Sequence, residues 1–315
     1  MFRTAHPRDL TGMLRFAAQA APNLAHPEHQ LGSDDERVWI SRAAASRWLP
    51  RRGRTVQSLL LAKGKELRGL VILRGLRNMA TWEVDQLLVG GDSEQTSAEL
   101  LARADVSLVQ AKCERVFLRL ANDGDAVGPA GEVGYRQYKE ESVFRTEGVR
   151  ASVAGPQLPS GVAMHPKQSN DEFSLFRLYT ASSPVHVRTA EGLTFREWKE
   201  TNAVRSQGTR RVKDTVFESE GQPVGWLRTG TGASGQVLAE MVIHPDRRAD
   251  LISPILRSAL AESHGKPLAF VVPSDDELMA DAAENVGLRY RGRYVSLVHQ
   301  IRERLTEGAF APARI

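Results

Sequence analysis

The spacing of apolar residues divides the first half of the chain into short strands and helices. Apolar residues recur every three or four positions over 10–21 and 99–112, which predicts two amphipathic helices. Shorter stretches are apolar or alternate between apolar and polar residues, which is typical of β-strands. The predicted strands are a short one at the N-terminus, 56–62, 67–73, 82–89, 116–120 and a strand pair beginning near Tyr135. Residues 22–54 are polar and are expected to form a loop with a short helix around 36–48.

The second half shows the same order of elements in different residues. Helices are predicted over 195–202, where Thr194 supplies the N-terminal cap, and over 251–263 and 275–285. The predicted strands cover 173–179, 212–218, 224–228, 236–243, 268–272 and 290–301. In each half an antiparallel meander of three strands therefore precedes a helix, a buried strand, a short helix and a final strand or strand pair.

A weak internal repeat relates the two halves. One offset superposes residues 116–123 on 269–276 and Val133-Gly134-Tyr135-Arg136 on Val286-Gly287-Leu288-Arg289. Valines of the third meander strand match at the same offset. Because several separated blocks share one offset, we infer two domains of one fold. We predict an N-terminal domain over 1–150, a linker over 151–170 and a C-terminal domain over 171–315.

Length and composition agree with two globular domains. The chain has 315 residues, of which 41% are apolar and 25% are charged, as in ordinary soluble proteins. Residues 1–150 carry 22 basic and 19 acidic side chains, and residues 151–315 carry 20 and 19. Since the positive charge is spread evenly and forms no concentrated patch, no nucleic-acid partner is indicated.

Other patterns limit the possible classes of protein. The single cysteine, Cys113, excludes an internal disulfide, and no apolar run reaches the roughly 18 residues of a membrane span. The N-terminus lacks the apolar segment of a signal peptide, so we expect a cytoplasmic protein without a membrane partner. No metal site is predicted, because the histidines of the His-Pro pairs are too dispersed for ligand spacing. These histidines are His6, His26, His165 and His244.

The order of elements and two short motifs resemble the GCN5-related N-acetyltransferase (GNAT) family. Residues 286–289 are similar to the Gly-Phe segment that follows the last helix of the family. Residues 241–248 are similar to the family motif that combines a hydrophobic residue, a valine, a proline and an arginine. In the family this motif lies between a strand and the following helix. The resemblance covers nearly the whole chain, because each half resembles one GNAT domain. It implies an α/β (α+β) fold with two tandem GNAT-like domains, each a mixed, mostly antiparallel twisted sheet flanked by helices.

The resemblance also implies a binding site for acetyl-CoA. Family members hold the pyrophosphate with backbone N–H groups of a glycine-containing loop at a helix N-terminus, where the helix dipole attracts phosphate. The residues expected to bind the cofactor are Val242, Ile243, Arg247, Arg248, Ala249, Asp250 and Leu251. This loop has arginines but no glycine, whereas residues 90–96 of the first half have glycines but no arginine. A solvated cluster at the helix entry is the alternative interpretation of the two arginines.

Two residues are candidates for acid–base chemistry. An attacking amine must lose a proton, and Glu240 on the third meander strand of the second half could accept it. The repeat places Leu87 at that position of the first half, so we favour the second half as the active one. Many family members have a tyrosine four residues before the glycine of the Gly-Phe segment. Alanines 130 and 283 stand there, and Tyr290 is the candidate catalytic tyrosine. A solvated or salt-bridged carboxylate is the alternative interpretation of Glu240.

The implied reaction is transfer of an acetyl group from acetyl-CoA to an amine by direct attack, with the cofactor in the C-terminal domain. The acceptor is a small-molecule or peptide amine, and a small amine, an antibiotic, a peptide N-terminus and a lysine all stay open. We expect it near the face of the second domain that meets the first, since pockets form readily between domains. A homodimer is a further possibility. The alternative function is a non-catalytic binding or regulatory protein, which the altered loops favour.

Overall fold

Twelve strands form one continuous sheet in the part of the chain that the structure describes. The computed structural model describes residues 2–19, 23–26, 56–63, 66–75, 80–91, 93–146, 156–205, 210–232 and 235–301. The strands are β1 Phe2–Thr4, β2 Val56–Lys63, β3 Glu66–Gly75, β4 Thr81–Val89, β5 Arg115–Ala121, β6 Arg136–Thr146, β7 Val162–Pro166, β8 Arg210–Ser219, β9 Gln222–Thr231, β10 Val237–Ile243, β11 Leu268–Pro273 and β12 Arg289–Gln300.

The α-helices of the described residues cover both faces of this sheet. They are α1 Leu10–Gln19, α2 Ser93–Gln110, α3 Val127–Val133, α4 Glu172–Ser182, α5 Val185–Glu191, α6 Phe195–Arg205, α7 Arg248–Ser263 and α8 Glu277–Asn285. Side chains that alternate along β3 point to the two faces of the sheet in the first half. Leu70 and Ile72 pack against α1 on one face, and Val71 and Leu73 pack on the other face in the cluster that contains α2. In the second half α4 and α6 pack on one face, and α7 and α8 pack on the other. None of the described helices is long and apolar enough to cross a membrane.

The two halves exchange their last strands. The sheet order is β1-β2-β3-β4-β5-β12-β6-β11-β10-β9-β8-β7. In the repeat, β6 follows β5 and β12 follows β11, yet β12 pairs with β5 and β6 pairs with β11. The exchanged strands also pair with each other, antiparallel, along most of their length. Each half therefore completes its sheet with a strand from the other half.

The repeat inferred from the sequence is confirmed by the order of elements. Glycines 134 and 287 both follow a short helix and have φ of 109° and 88°. This left-handed conformation is open to glycine at little cost, which explains why both halves keep a glycine there. The predicted division at residues 150 and 171 stays a prediction, and the sheet itself runs across it. Residues 162–166, inside the predicted linker, form the edge strand β7.

Most predicted elements are confirmed, and the one over 173–179 is wrong. That segment lies in helix α4, where Leu175 and Leu178 are buried and Phe173 is exposed. The spacing of three residues between the buried leucines is helical, and the short apolar run concealed it. The strand pair expected from Tyr135 is one long strand, β6, because its partners come from the other half. Thr194 does cap α6: its Oγ1 accepts the N–H of Glu197 at 3.3 Å. The helix predicted around 36–48 lies outside the described residues.

Removing packing from β12 is expected to loosen the first half of the chain. Leu297 lies on β12 but is buried in the cluster of the first half, with an exposed fraction of 4%. We expect Leu297→Ala to lower the free energy of unfolding by about 2–5 kcal/mol and to reduce hydrogen-exchange protection in β5. Leu288→Ala is the control, since Leu288 packs in the cluster of the second half. If Leu297→Ala reduced protection in β10 instead of β5, the pairing of β12 with the first half would be contradicted.

Candidate functional site

Strands β10 and β11 separate after a short parallel contact. Residues 237–239 pair with 268–270, and no further pair joins the two strands, although both continue and are fully described. Residues 240–243 pair only with β9 on their other side. Over residues 240–243 the edge of β10 that faces β11 therefore forms no ladder with another strand. A gap opens here between the two strands, which we call a wedge.

A cavity of about 1250 Å³ occupies this wedge and extends across the sheet towards the first half. We call it the central cavity. Glu240, Val242 and Ile243 line it from β10, and the last residues of β11 and the start of α8 line it beside them. Residues of α4 and α5 close one side, and residues of β5, β6 and β12 close the other. The exchange of the last strands thus brings residues of both halves to one cavity.

The corresponding wedge of the first half is filled by the chain itself. Strands β4 and β5 also pair in parallel over only three residues, 81–83 with 115–117. Residues 23–26 enter beyond that point, and Ala25 forms an antiparallel bridge with Leu120 of β5. Ala25 is completely buried in the core of the first half. We call residues 23–26 the plug.

Hydrogen bonds hold the plug to both strands. The Oδ1 atom of Asn23 accepts the N–H of Leu87 at 2.8 Å, and the N–H of Leu24 donates to the carbonyl of Leu87 at 3.0 Å. On the other side the N–H of His26 donates to the carbonyl of Arg119 at 2.9 Å. An asparagine side chain offers the same donor and acceptor as a peptide group, so it satisfies a strand edge that lacks a partner. The plug takes the place of a missing strand between β4 and β5.

His26 is neutral in this position. Its ring packs edge-on against Tyr294, with 4.9 Å between the ring centroids. Burial, with a smaller contribution from the nearby Arg119 guanidinium, lowers the pKa of His26 from its usual 6.5 to about 4. The uncharged ring can therefore stay beside a fixed cation at neutral pH. Protonation would place two positive charges together in a poorly hydrated site.

The N-terminus of α7 lies at the open end of the wedge between β10 and β11. This helix begins at Arg248, follows β10 after a single 3-10 turn, and no side chain caps its first turn. The first N–H groups of an α-helix have no acceptor within the helix, and the helix dipole makes this end attractive to anions. Both arginines of this loop are paired with acids. Arg248 forms an ion pair with Asp276, and Arg247 lies 3.7 Å from Asp250.

Glu240 lies among polar side chains on the cavity face of the sheet. Its partner in the β9–β10 ladder is Arg228, which donates from Nε to Asp214 at 2.9 Å and stacks on Trp226 at 4.8 Å from the ring centroid. Asp214 also accepts the indole N–H of Trp226 at 3.0 Å. Arg228 also donates from Nη1 to Asn202 Oδ1 at 3.2 Å and is thus fixed by three neighbours, while Glu240 is half-buried and lines the cavity. A carboxylate in this setting can accept a proton from a ligand in the cavity.

The structure brings part of the predicted site together. Glu240, Val242, Ile243 and Arg248 line the central cavity. The other predicted loop residues, Arg247 and Ala249 to Leu251, lie beside it in the turn before α7 and in the first turn of α7. The side chain of Leu251 is fully buried in the core. Only its backbone could contribute to binding.

Tyr290 is not brought to the cavity. Half of its surface is exposed, its ring contacts Phe144, and it does not line the central cavity. Phe144 packs in the cluster of α7 and α8, so Tyr290 points to the sheet face opposite Glu240. The cavity has two other tyrosines, Tyr138 and Tyr179. Tyr138 lies on the exchanged strand β6, and Tyr179 donates its hydroxyl hydrogen to Glu191. Sequence spacing alone could not find Tyr138, because its strand belongs to the other half of the repeat.

Several known structures resemble this one along most of its length. A tandem GNAT protein from the clavulanic acid biosynthesis pathway, without AcCoA, superposes with a TM-score of 0.62 over 96% of this chain and 99% of that chain, at 15% identity. A GCN5-related N-acetyltransferase from Sphaerobacter thermophilus gives 0.61 over 96% of both chains at 15% identity, and a Drosophila protein gives 0.55 over 95% and 98% at 12% identity. No protein-family model and no curated protein matches the sequence. The chain therefore has the tandem GNAT fold.

The ionisation of His26 is expected to make the plug sensitive to acid. Since the pKa is lower in the folded protein than in the unfolded chain, His26 contributes stability above pH 6.5, and this contribution is lost as the pH falls towards 4. An NMR titration should give His26 a midpoint near 4, while His165, whose pKa the Pro166 carbonyl and nearby acids raise, should titrate above 6.5. In His26→Gln the loss of stability between pH 7 and pH 4.5 should be smaller. A normal midpoint for His26 would show that its ring is hydrated.

Proposed function

We propose that this protein is an acetyl-CoA-dependent N-acetyltransferase with one active site, in its C-terminal half. The observation that carries the proposal is the contrast between the two wedges. The first is filled by the plug, which is bonded to both strands, whereas the second opens into the central cavity beside a helix N-terminus. The fold shared with N-acetyltransferases supports the reaction class.

The residues of the C-terminal half fit acetyl-CoA, which supplies an acetyl group activated as a thioester. The edge of β10 beside the wedge forms no strand ladder over residues 240–243, and an extended ligand could lie along it; the Ile243 carbonyl also accepts the Ser182 hydroxyl at 2.9 Å. The first turn of α7, with Arg247 and Arg248, would hold the phosphates. The Asp276 carboxylate already pairs with Arg248, so phosphate binding must compete with it or share the arginine. This competition lowers the expected affinity without removing the site.

The chain itself would orient the acceptor and take up its proton. The carboxylate of Glu240 would receive the proton that the amine loses, directly or through a water molecule. The walls of the cavity, which include Trp198, Trp226 and Leu193, would exclude bulk water from this exchange. The amine enters from the side of α5 and β6, because the opposite side of Glu240 is closed by β9 and its anchored Arg228.

Removing the carboxylate of residue 240 is expected to slow turnover. Glu240→Gln keeps the shape of the side chain and loses the proton acceptor, so kcat should fall by about 10²-fold or more while acetyl-CoA affinity stays unchanged. Release of CoA measured with a thiol reagent gives the rate, and the melting temperature checks the fold. Asp85→Asn, on the corresponding strand of the first half, should leave kcat unchanged. Equal loss in both variants, or in neither, would remove Glu240 from this role.

The phosphate site is tested by changing Arg248 and its acidic partner separately. Calorimetric titration with acetyl-CoA should show one site per chain. Arg248→Ala should weaken binding by about tenfold, as expected for one charge-assisted contact. Asp276→Asn should strengthen it, since the amide still accepts the N–H of Met279 that caps α8 and no longer attracts the arginine. If Asp276→Asn weakens binding instead, Asp276 positions Arg248 for the phosphate.

The same titration distinguishes the second candidate function. The pairing of both loop arginines with acids favours a binding or regulatory protein that has lost the cofactor. That function requires that acetyl-CoA does not bind even at millimolar concentration. Two sites per chain would contradict both candidates, because the plug would then have to leave its wedge.

A further inference from the structure

Three charged residues stand in register across three neighbouring strands. Asp214 on β8 lies opposite Arg228 on β9, and Arg228 lies opposite Glu240 on β10. Residues opposite each other in an antiparallel pair point to the same face of the sheet, with Cβ atoms about 4.5–5.5 Å apart. One arginine therefore stands between two carboxylates, and either of them could accept its hydrogen bonds.

The guanidinium of Arg228 is bound on the side of Asp214. Its Nε donates to Oδ1 of Asp214 at 2.9 Å and its Nη2 to Oδ2 at 3.4 Å, so the contact is bidentate. Its Nη1 donates to Oδ1 of Asn202 at 3.2 Å, and the guanidinium stacks on Trp226. Among the described residues, Arg228 forms its ion pair with Asp214 and none with Glu240. The sheet places the arginine beside both acids, and its other neighbours hold it on one of them.

Burial keeps this contact in place. The indole N–H of Trp226 also donates to Oδ1 of Asp214, at 3.0 Å. The side chains of Arg228 and Asp214 have exposed fractions of 13% and 18%, and Asn202 keeps 8%. A poorly hydrated bidentate pair with a stacking partner exchanges less readily than an ion pair on the surface. Glu240 is thus the neighbour of a cation that is bound elsewhere.

The elements packed against β10 bring few other titratable groups to Glu240. Strand β11 has none, and those of the remaining elements that line the central cavity are Arg228 of β9, Tyr179 of α4 and Arg248 of α7. Tyr179 donates to Glu191, and Arg248 pairs with Asp276. Arg228 is therefore the cation in register with Glu240, and its choice of partner decides the charge beside the proposed proton acceptor.

We infer that Asp214 is a positioning residue of the active site, which holds Arg228 away from Glu240 and so keeps the Glu240 carboxylate basic. The inference rests on the proposed function, in which the proton of the amine passes to Glu240. Asp214 takes no part in that transfer. A guanidinium bound to Glu240 would stabilise its charged form and weaken it as a base. Without Asp214, the carboxylate left in register with Arg228 is Glu240, so we expect the guanidinium to turn to it.

A purely structural role for Asp214 is the rival explanation. The network joins β8, β9 and α6, so its loss must also lower stability. The two roles are separable because stability and basicity are measured independently. A structural contact changes the melting temperature and leaves the titration of Glu240 where it is. The proposed role moves this titration, in a direction that depends on which partner is removed.

The test follows the side-chain carboxyl of Glu240 by NMR in the full-length protein with isotope-labelled glutamate, assigned with Glu240→Gln. Its titration midpoint should fall by about one pH unit in Asp214→Asn, because Arg228 then binds Glu240. In Arg228→Gln the midpoint should rise, since Asp214 is left as an uncompensated negative charge nearby. The double variant removes both charges, so its midpoint should return towards that of the wild type. The acid limb of the pH dependence of kcat, measured by CoA release, should move in the same directions.

Glu262→Gln is the matched control for lost stability. Glu262 is also a largely buried carboxylate paired with a residue of β8, Lys213, at 2.7 Å, but it belongs to α7 on the other face of the sheet. This variant should lower the melting temperature and leave the midpoint of Glu240 unchanged. The inference is overturned if Asp214→Asn does not lower the midpoint, or if Glu262→Gln lowers it as far. If Asp214→Asn does not fold, Arg228→Gln decides alone, and a midpoint that fails to rise overturns the inference.

The titration of Glu240 needs no acceptor, so it is independent of turnover. Unchanged midpoints remove the role of Asp214 and leave Glu240 as the proposed base. Loss of acetyl-CoA binding in the wild-type protein, or an unchanged kcat in Glu240→Gln, removes the proposed function itself, whatever the midpoints are.

Discussion

The pairing of β12 with β5 and of β6 with β11 is the constraint on which the rest of the structure depends. A sheet of six strands in each half would end at an unpaired edge, and the exchange closes both edges against each other. The same pairing places Lys139 and Tyr138 of the first half beside the wedge of the second. Neither half has a complete core without the other, and the central cavity is lined by residues of both. The tandem arrangement is therefore a single structural unit built from two copies of one pattern.

The two copies diverge at the parallel contact between the third meander strand and the following strand. A parallel pair that separates leaves backbone groups without partners, and such groups must be satisfied inside a protein. In the first half Asn23 and Ala25 satisfy them from within the chain, and the result is a rigid, buried junction. In the second half the Ile243 carbonyl accepts the Ser182 hydroxyl, and no described segment enters the wedge as a further strand. Under the proposed function the first half is the structural copy and the second carries the chemistry.

Much of the fold could be predicted from the sequence, since periodicity and the repeat located the meanders, α2, α7 and the last strand of each half. The helix at 172–182 was missed because its short apolar run fits both periods. The candidate residues came from local signals: Glu240 from its place on the third meander strand, and the loop at 247–251 from the resemblance of residues 241–248 to the GNAT motif. Their roles stay predictions. The plug and the cavity residues of β6 could not be predicted. They depend on contacts between Asn23 and Leu87 and between Lys139 and Glu141 across exchanged strands, and local spacing carries no signal of those pairings.

The most direct test of one active site in the C-terminal half is hydrogen–deuterium exchange with and without saturating acetyl-CoA. We predict slower exchange over 240–251, at the open edge of β10 and the first turn of α7, with no change in the plug or in residues 84–89. The account would be contradicted by protection of 84–89 together with faster exchange of 23–26, which would mean that the ligand displaces the plug. It would equally be contradicted by unchanged exchange along the whole chain.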